Sequence, residues 1–303
     1  MPIEVSQLRE ALLYTTQSPL ANILDDLVQI KEIDRIAEGK QKEYGEKALS
    51  YFIGLLFALF LTAILMSQNP KNLIFSLFTG LLVIINLVLI ICLSYALVER
   101  GKFKRLNFKN YRYDLTKQLL QMLARDMDAA SVFDLKLSFQ HVEYHKNKIG
   151  TNPHPHKSGW KIDNYCNEWV RLQGQFLDKT RFNLSLTELF KKEYGWKRGR
   201  SGKQKYKTKT KTLGLDISLK LTYPQRRYGA VKILQNEVNN AVKLPQTSSL
   251  RAIKVSDKAI FINTRIAPQF AEDQNVLYET IIAMFLSCYQ ILNLAKVLAK
   301  QSV

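Results

Sequence analysis

Two stretches of this chain contain no charged side chain, residues 48–66 "ALSYFIGLLFALFLTAILM" and residues 73–98 "LIFSLFTGLLVIINLVLIICLSYALV". About 20 consecutive apolar residues suffice for a helix to cross a bilayer, and both stretches meet that length. The alternative, a pair of buried core helices, is opposed by uncharged runs of 19 and 26 residues beside basic flanks. They predict a transmembrane hairpin over 48–98, with spans 48–66 and 73–98 joined by a short turn containing Asn69 and Pro70. The 47 polar-rich residues ahead of the first span do not fit a cleaved signal peptide.

Charge gives the orientation. Lys31, Arg35, Lys40, Lys42 and Lys47 precede the first span; Arg100, Lys102, Lys104, Arg105, Lys109, Arg112 and Lys117 follow the second. Lys71 is the single basic residue of the connection. The positive-inside rule therefore predicts a two-span, multi-pass membrane protein with both termini cytoplasmic. The first 48 residues hold six basic and nine acidic side chains, whereas residues 99–303 hold 37 basic and 17 acidic ones. Such a basic C-terminal part favours anionic partners, either inner-leaflet lipid or nucleic acid. Cys92, Cys166 and Cys288 are far apart with no paired spacing, which suits a reducing compartment.

Residues 1–47 read as a cytoplasmic helical segment, with Ser18 as N-cap, Pro19 at the first helical position and Gly39 as a stop. Leu20, Ile23, Leu24, Leu27, Ile30, Ile33 and Ile36 supply its apolar stripe. Residues 99–130 read as a basic, aromatic juxtamembrane helix. Its Arg100, Lys102, Phe103, Lys104, Arg105, Phe108 and Lys109 are the candidate membrane-interface residues, since snorkelling cations and rings both suit the headgroup region. Inside the spans, Gly54, Ala58 and Thr62 recur every fourth residue, and Ser76 and Gly80 repeat the interval. With Asn86 they are candidates for helix–helix packing in lipid, within the hairpin or in a homo-oligomer.

From residue 131 the apolar period changes to two, and residues 131–303 are predicted to form a cytoplasmic α+β domain. Its sheet is expected to be mostly antiparallel, with helices packed on it. "VFDLKLSFQHVEY", "EWVRLQGQFL" and "RFNLSLTELF" read as strands, the last two joined at Asp178–Lys179. "RRYGAVKILQNEVNNAVKLP" reads as a helix closed by Pro245, and "LRAIKVSDKAIFINTRI" as a hairpin turning at Ser256–Asp257. The final helix, residues 276–299 at its centre, reads as a buried helix across the sheet. A third span is the alternative, opposed by Glu279, Gln290, Asn293 and Lys296.

Catalytic signatures are absent from the sequence. His141, His145, His154 and His156 cluster, but the first two would lie about 13 Å apart along a strand, and the others sit in a proline-interrupted loop. Asp126 and Asp128 fall at a helix end. No GxSxG, GxxxxGK[ST] or HExxH is present, so no catalytic residue, metal or cofactor is assigned.

The remaining signal is "KQKYKTKTKT", which places Lys203, Lys205, Lys207, Lys209 and Lys211 at alternate positions. Read without interruption into Leu213, Leu215, Ile217, Leu219 and Leu221, it predicts one strand face that changes from charged to apolar. A hairpin register follows that sets Glu188 opposite Lys209 and Phe190 opposite Lys207, unless Gly214 hosts a bulge. Lys197, Arg198, Arg200, the five lysines, Trp196 and Tyr206 are the candidate polyanion site. The reading is a non-enzymatic membrane-anchored protein that binds an anionic partner. An oligomeric two-span effector or channel gated by ligand, and an enzyme of unrecognised type, are the alternatives.

Overall fold

A computed structural model describes residues 11–67, 73–128, 130–229, 231–236 and 241–301. The chain divides into two compact units, Val28–Lys109 and the combination of Met1–Leu27 with Asn110–Val303. The turn formers Asn69 and Pro70 lie outside the described residues.

The first unit is built on two long helices, α1 (Leu20–Ser67) and α2 (Leu73–Lys104). They run antiparallel, with Gln41 bonded to Asn107, Tyr44 stacked on Phe103 and Thr62 bonded to Asn86. Their outer surfaces are apolar: Phe57 is 65 % exposed and Ile91 68 %. Helix α1 does not stop at Gly39. A glycine costs a helix interior only about 1 kcal/mol, and the following turns are strong helix formers laced by Lys40–Glu43 and Lys47–Glu43 pairs. The helix also begins later than its expected N-cap, because Ser18 and Pro19 belong to a strand.

That strand, β1 (Leu13–Pro19), opens the second unit. It is followed by α3 (Asn110–Leu123), β2 (Val132–Ser138), β3 (Lys148–Pro153), β4 (Lys161–Gln175), β5 (Arg181–Arg198) and β6 (Gln204–Thr222). A short α4 (Gln225–Tyr228), β7 (Ser248–Val255), β8 (Ala259–Ile266) and α5 (Gln274–Gln301) complete it. The strands form one eight-stranded sheet in the order β1-β2-β4-β5-β6-β8-β7, with β3 paired on β4. Every pairing among the described residues is antiparallel, and the unit is α+β.

One sheet face carries Phe133, Leu135, Leu137, Leu172, Phe182, Leu184, Leu186, Leu215, Ile217, Leu219, Leu221, Ile260 and Ile262, all buried. Helices α3 and α5 cover this face: Phe285 packs edge-on to Phe182, and Thr264 donates to Met284 Sδ. Leu277, Ile281, Met284, Cys288, Leu292 and Ala295 give α5 one fully buried stripe, the three-to-four spacing of a helix laid on a sheet. Among the described residues three helices are long and apolar enough to cross a membrane, and α5 is the one with substantial burial: 44 % of its most apolar stretch, against 11 % in α1 and α2. The opposite sheet face is polar, laddered by Arg265–Asp216 and Asn263–Ser218.

Several sequence expectations change at this level. The first strand ends at Ser138, leaving His141 in a turn and His145 in a 3-10 turn. The helix expected up to Pro245 is interrupted: Gly229 takes a left-handed φ of 71° after α4, and a 3-10 segment Val231–Asn236 follows. Residues 237–240 of that expectation lie outside the described residues. The juxtamembrane helix is two pieces, since α2 runs on to Lys104 and α3 starts afresh at Asn110.

Candidate functional site

Strand β8 pairs with β6 only from Leu215 to Thr222, and β5 continues beside β6 to its far end. The first half of β6, the second half of β5, the start of β4 and β3 therefore form an arm extending the sheet, with residues 204–212 on its free edge.

The side on which the lysines project is set by a bulge. Leu189 faces Gly214 and Phe190 faces Thr212, so Leu213 is the extra residue. Gly214 has φ +117°. Because side chains alternate across a strand, one added residue moves everything before it to the other face. Thr208, Thr210 and Thr212 therefore share a face with Leu215–Leu221, while Lys205, Lys207, Lys209 and Lys211 lie on the reverse. This corrects the uninterrupted reading of the strand. It also corrects its register: Lys209 faces Glu193 and Lys207 faces Gly195, while Glu188 faces Leu215 and Phe190 faces Thr212.

On the lysine face, Lys191 sits opposite Lys211 and Lys197 opposite Lys205. Like charges directly across a ladder oppose pairing. Lys203, Lys205, Lys207, Lys209 and Lys211 are all exposed, and none makes an ion pair among the described residues. Successive lysines are about 7 Å apart along the strand, so the row spans about 27 Å.

One carboxylate, that of Glu193, lies among them. It is 5 % exposed and accepts Lys191 and Lys157 at 3.2 Å each, with His154 Nε2 at 3.5 Å. The hydrogen bond from Lys191 leads in holding its carboxyl down at about 2, with Lys157 adding to it and burial opposing. Trp160 packs over Gly195, where a Cβ would come within 2.6 Å of the indole, and Lys157 stands 4.5 Å above the Trp160 ring. The motif "HPHKSGW" thus packs onto the arm. His154 Nδ1 accepts the His156 backbone N–H, and His141 Nδ1 accepts that of Glu143.

Trp196 and Tyr206 face each other across β5 and β6, with ring centroids 5.4 Å apart and exposures of 61 % and 52 %. They occupy even-numbered positions before the bulge and so point away from the lysines. Behind them, Tyr194, Thr151 and Lys148 converge on Asp163, and Lys192 and Thr210 on Glu143. The sequence grouped the aromatics with the lysines as one site; the fold puts them on opposite sides of a two-stranded ribbon. Arg198 and Arg200 lie at its tip, Arg198 opposite Gln204 and Arg200 in the turn beyond.

In the helical unit, Ala58 and Thr62 are buried, and a Cβ on Gly54 would lie 3.9 Å from Leu89. Asn86 donates to Thr62 Oγ1 at 3.0 Å, and Thr62 in turn to the Ala58 carbonyl. These four lie in the contact between α1 and α2, which continues at Tyr44 and Phe103. Ser76 and Gly80 are exposed and take no part in it. Of the interface candidates, Lys102, Lys104, Arg105 and Lys109 are exposed, Lys102 in an ion pair with Glu99. Arg100 lies against Gly45 and Phe103 on Tyr44. Phe108 is buried, its backbone N–H donating to Asp34, so it does not present a ring at a surface.

Sequence reasoning passed over two features. Arg112 and Glu188 form an ion pair 2.7 Å long beneath the sheet, both about 2 % exposed, joined by Tyr111 at 2.6 Å. Asp178 in the β4–β5 turn gathers hydroxyls from Thr180, Tyr228 and Tyr289. Neither follows from spacing, since each joins positions far apart in sequence. Comparison with family models, curated proteins and solved structures returns no match to this chain.

Proposed function

We propose that this protein is a membrane-anchored binding protein. In this reading the spans 48–66 and 73–98 form the anchor, both termini lie on the cytoplasmic side, and the α+β domain holds an anionic partner on the lysine face of its arm. The observation that carries the reading is the row of exposed lysines with two like-charge pairs across the ladder. A chain gains nothing internally from Lys191 against Lys211 or Lys197 against Lys205. An external array of negative charge offsets that repulsion.

The division of faces favours the anionic leaflet over single-stranded nucleic acid. Stacking recognition needs rings and cations along one groove, and here Trp196 and Tyr206 lie on the other side of the ribbon. A planar sheet of headgroups asks only for cations on one face. Each basic residue near such a surface contributes on the order of 1 kcal/mol. The test uses the full chain in zwitterionic nanodiscs, mixed with anionic liposomes or with nucleic acid at low salt. Substituting Lys205, Lys207 and Lys209 together by serine is expected to weaken liposome capture about a hundredfold. Undiminished capture, or preference for nucleic acid over liposomes, would remove the leaflet reading.

A further inference from the structure

The end of α3, the β4–β5 turn and the middle of α5 line an open pocket of about 790 Å³ within the α+β unit. Its walls are apolar, with Met122, Phe176, Ile282, Phe285 and Leu286 among them. That volume and lining are those of a small-molecule site, in which a few polar groups orient a mostly hydrophobic ligand. Leu177 and Leu286, at the mouth, are 63 % and 59 % exposed, so the apolar surface continues outward.

Four charged side chains meet the pocket, namely Arg125, Asp126, Asp178 and Arg227. Asp178 is already engaged. It accepts the Thr180 backbone N–H at 2.8 Å and the Thr180 hydroxyl at 2.9 Å, together with the hydroxyls of Tyr228 and Tyr289. Burial acts to raise its carboxyl, but the hydrogen bonds from Tyr228 and Thr180 prevail and hold it below the ordinary range. Its work is to fix the two tyrosine rings, not to receive a ligand. Arg125 and Arg227 make no ion pair among the described residues. Guanidinium groups at the mouth of an apolar pocket complement an anionic head on an apolar tail. The carboxylates of Asp126 and Asp178 in the same lining offset part of that positive charge, which disfavours a doubly charged head such as a phosphate monoester more than a singly charged carboxylate.

The geometry points to a long-chain fatty carboxylate as the ligand of this pocket, with its chain against Phe176, Ile282 and Phe285 and its head at Arg125 and Arg227. The site is separate from the lysine row and does not depend on the leaflet reading.

A fluorescent long-chain fatty carboxylate, titrated into the full chain in zwitterionic nanodiscs, tests it. Saturable binding above that of protein-free nanodiscs is expected. Arg125→Glu with Arg227→Glu should weaken binding at least about tenfold, since losing even one of the two charge-assisted contacts costs that much. Leu286→Glu, at an exposed position, should weaken it similarly by putting a like charge on the apolar mouth. The Lys205, Lys207 and Lys209 serine variant should bind as the parent does, which separates this site from the arm. No saturation, full affinity in both the double arginine and the Leu286 variants, or tighter binding of a monoacyl phosphate would each overturn the assignment. Loss of binding in the lysine variant alone would do so as well, by moving the ligand to the arm.

Discussion

With φ +117°, Gly214 takes a backbone conformation that L side chains rarely adopt, and a Cβ there would drive into the carbonyl oxygen of Ile266. The residue permits the bulge that turns the lysines away from the core face. Gly214→Val should therefore cost about 1–3 kcal/mol, read as a lowered Tm of the full chain in detergent. Gly39→Ala, in open helix, is the contrast and should be neutral or slightly stabilising. Equal melting of the two variants would mean that the bulge does not need its glycine. Arg112 and Glu188 show the same dependence on place. As letters they are ordinary surface residues, yet the fold buries them as a pair, and removing one partner of such a pair leaves an uncompensated charge. Nothing in their neighbours' spacing announces this, because the contact spans 76 positions.

Helix α1 and strand β6 are each continuous in hydrogen bonding but divided in character. The C-terminal part of α1 presents phenylalanines and leucines outward, while its partner-facing line is Gly54, Ala58 and Thr62. The four-residue interval of small residues was legible in the sequence; which neighbour it meets was not. The answer is α2, through Asn86, and not through Ser76 or Gly80. Asn86→Ala and Thr62→Val should each lower the thermal stability of the detergent-solubilised chain by about 1 kcal/mol. Their double variant should lose less than the sum, because both remove one bond. Additive losses would show that the two side chains act separately. In β6 the period-two alternation from Lys203 to Tyr223 announced a strand, which the fold forms over Gln204–Thr222. Alternation alone could not show that Leu213 is skipped in the pairing, since a bulge is a property of two strands together. The strands β1 and β3 were missed for a related reason: neither alternates apolar and polar side chains, and each gains its place from pairing with β2 or β4.

For the molecule as a whole, the proposed topology makes a direct prediction. In intact cells, a cysteine at Ser67 in a background lacking Cys92, Cys166 and Cys288 should react with a membrane-impermeant maleimide. A cysteine at Ser201, in the turn of the lysine arm, should react only after permeabilisation. The reverse pattern would invert the orientation and place the lysines away from the cytoplasmic leaflet. The long uncharged runs, the basic excess of the C-terminal part and the change of period near residue 131 are properties of composition and local order. The sequence by itself therefore determined two long apolar helices and an antiparallel α+β unit carrying a lysine strand. Tertiary structure decided which face each side chain uses: the bulge at Leu213 and Gly214 sends the lysines opposite to Trp196 and Tyr206, and the sheet claims one side of α5. It also assembled the pocket from α3, a turn and α5, segments about 50 to 100 residues apart. Periodicity reports what a segment can bury; only pairing between distant segments fixes what it faces.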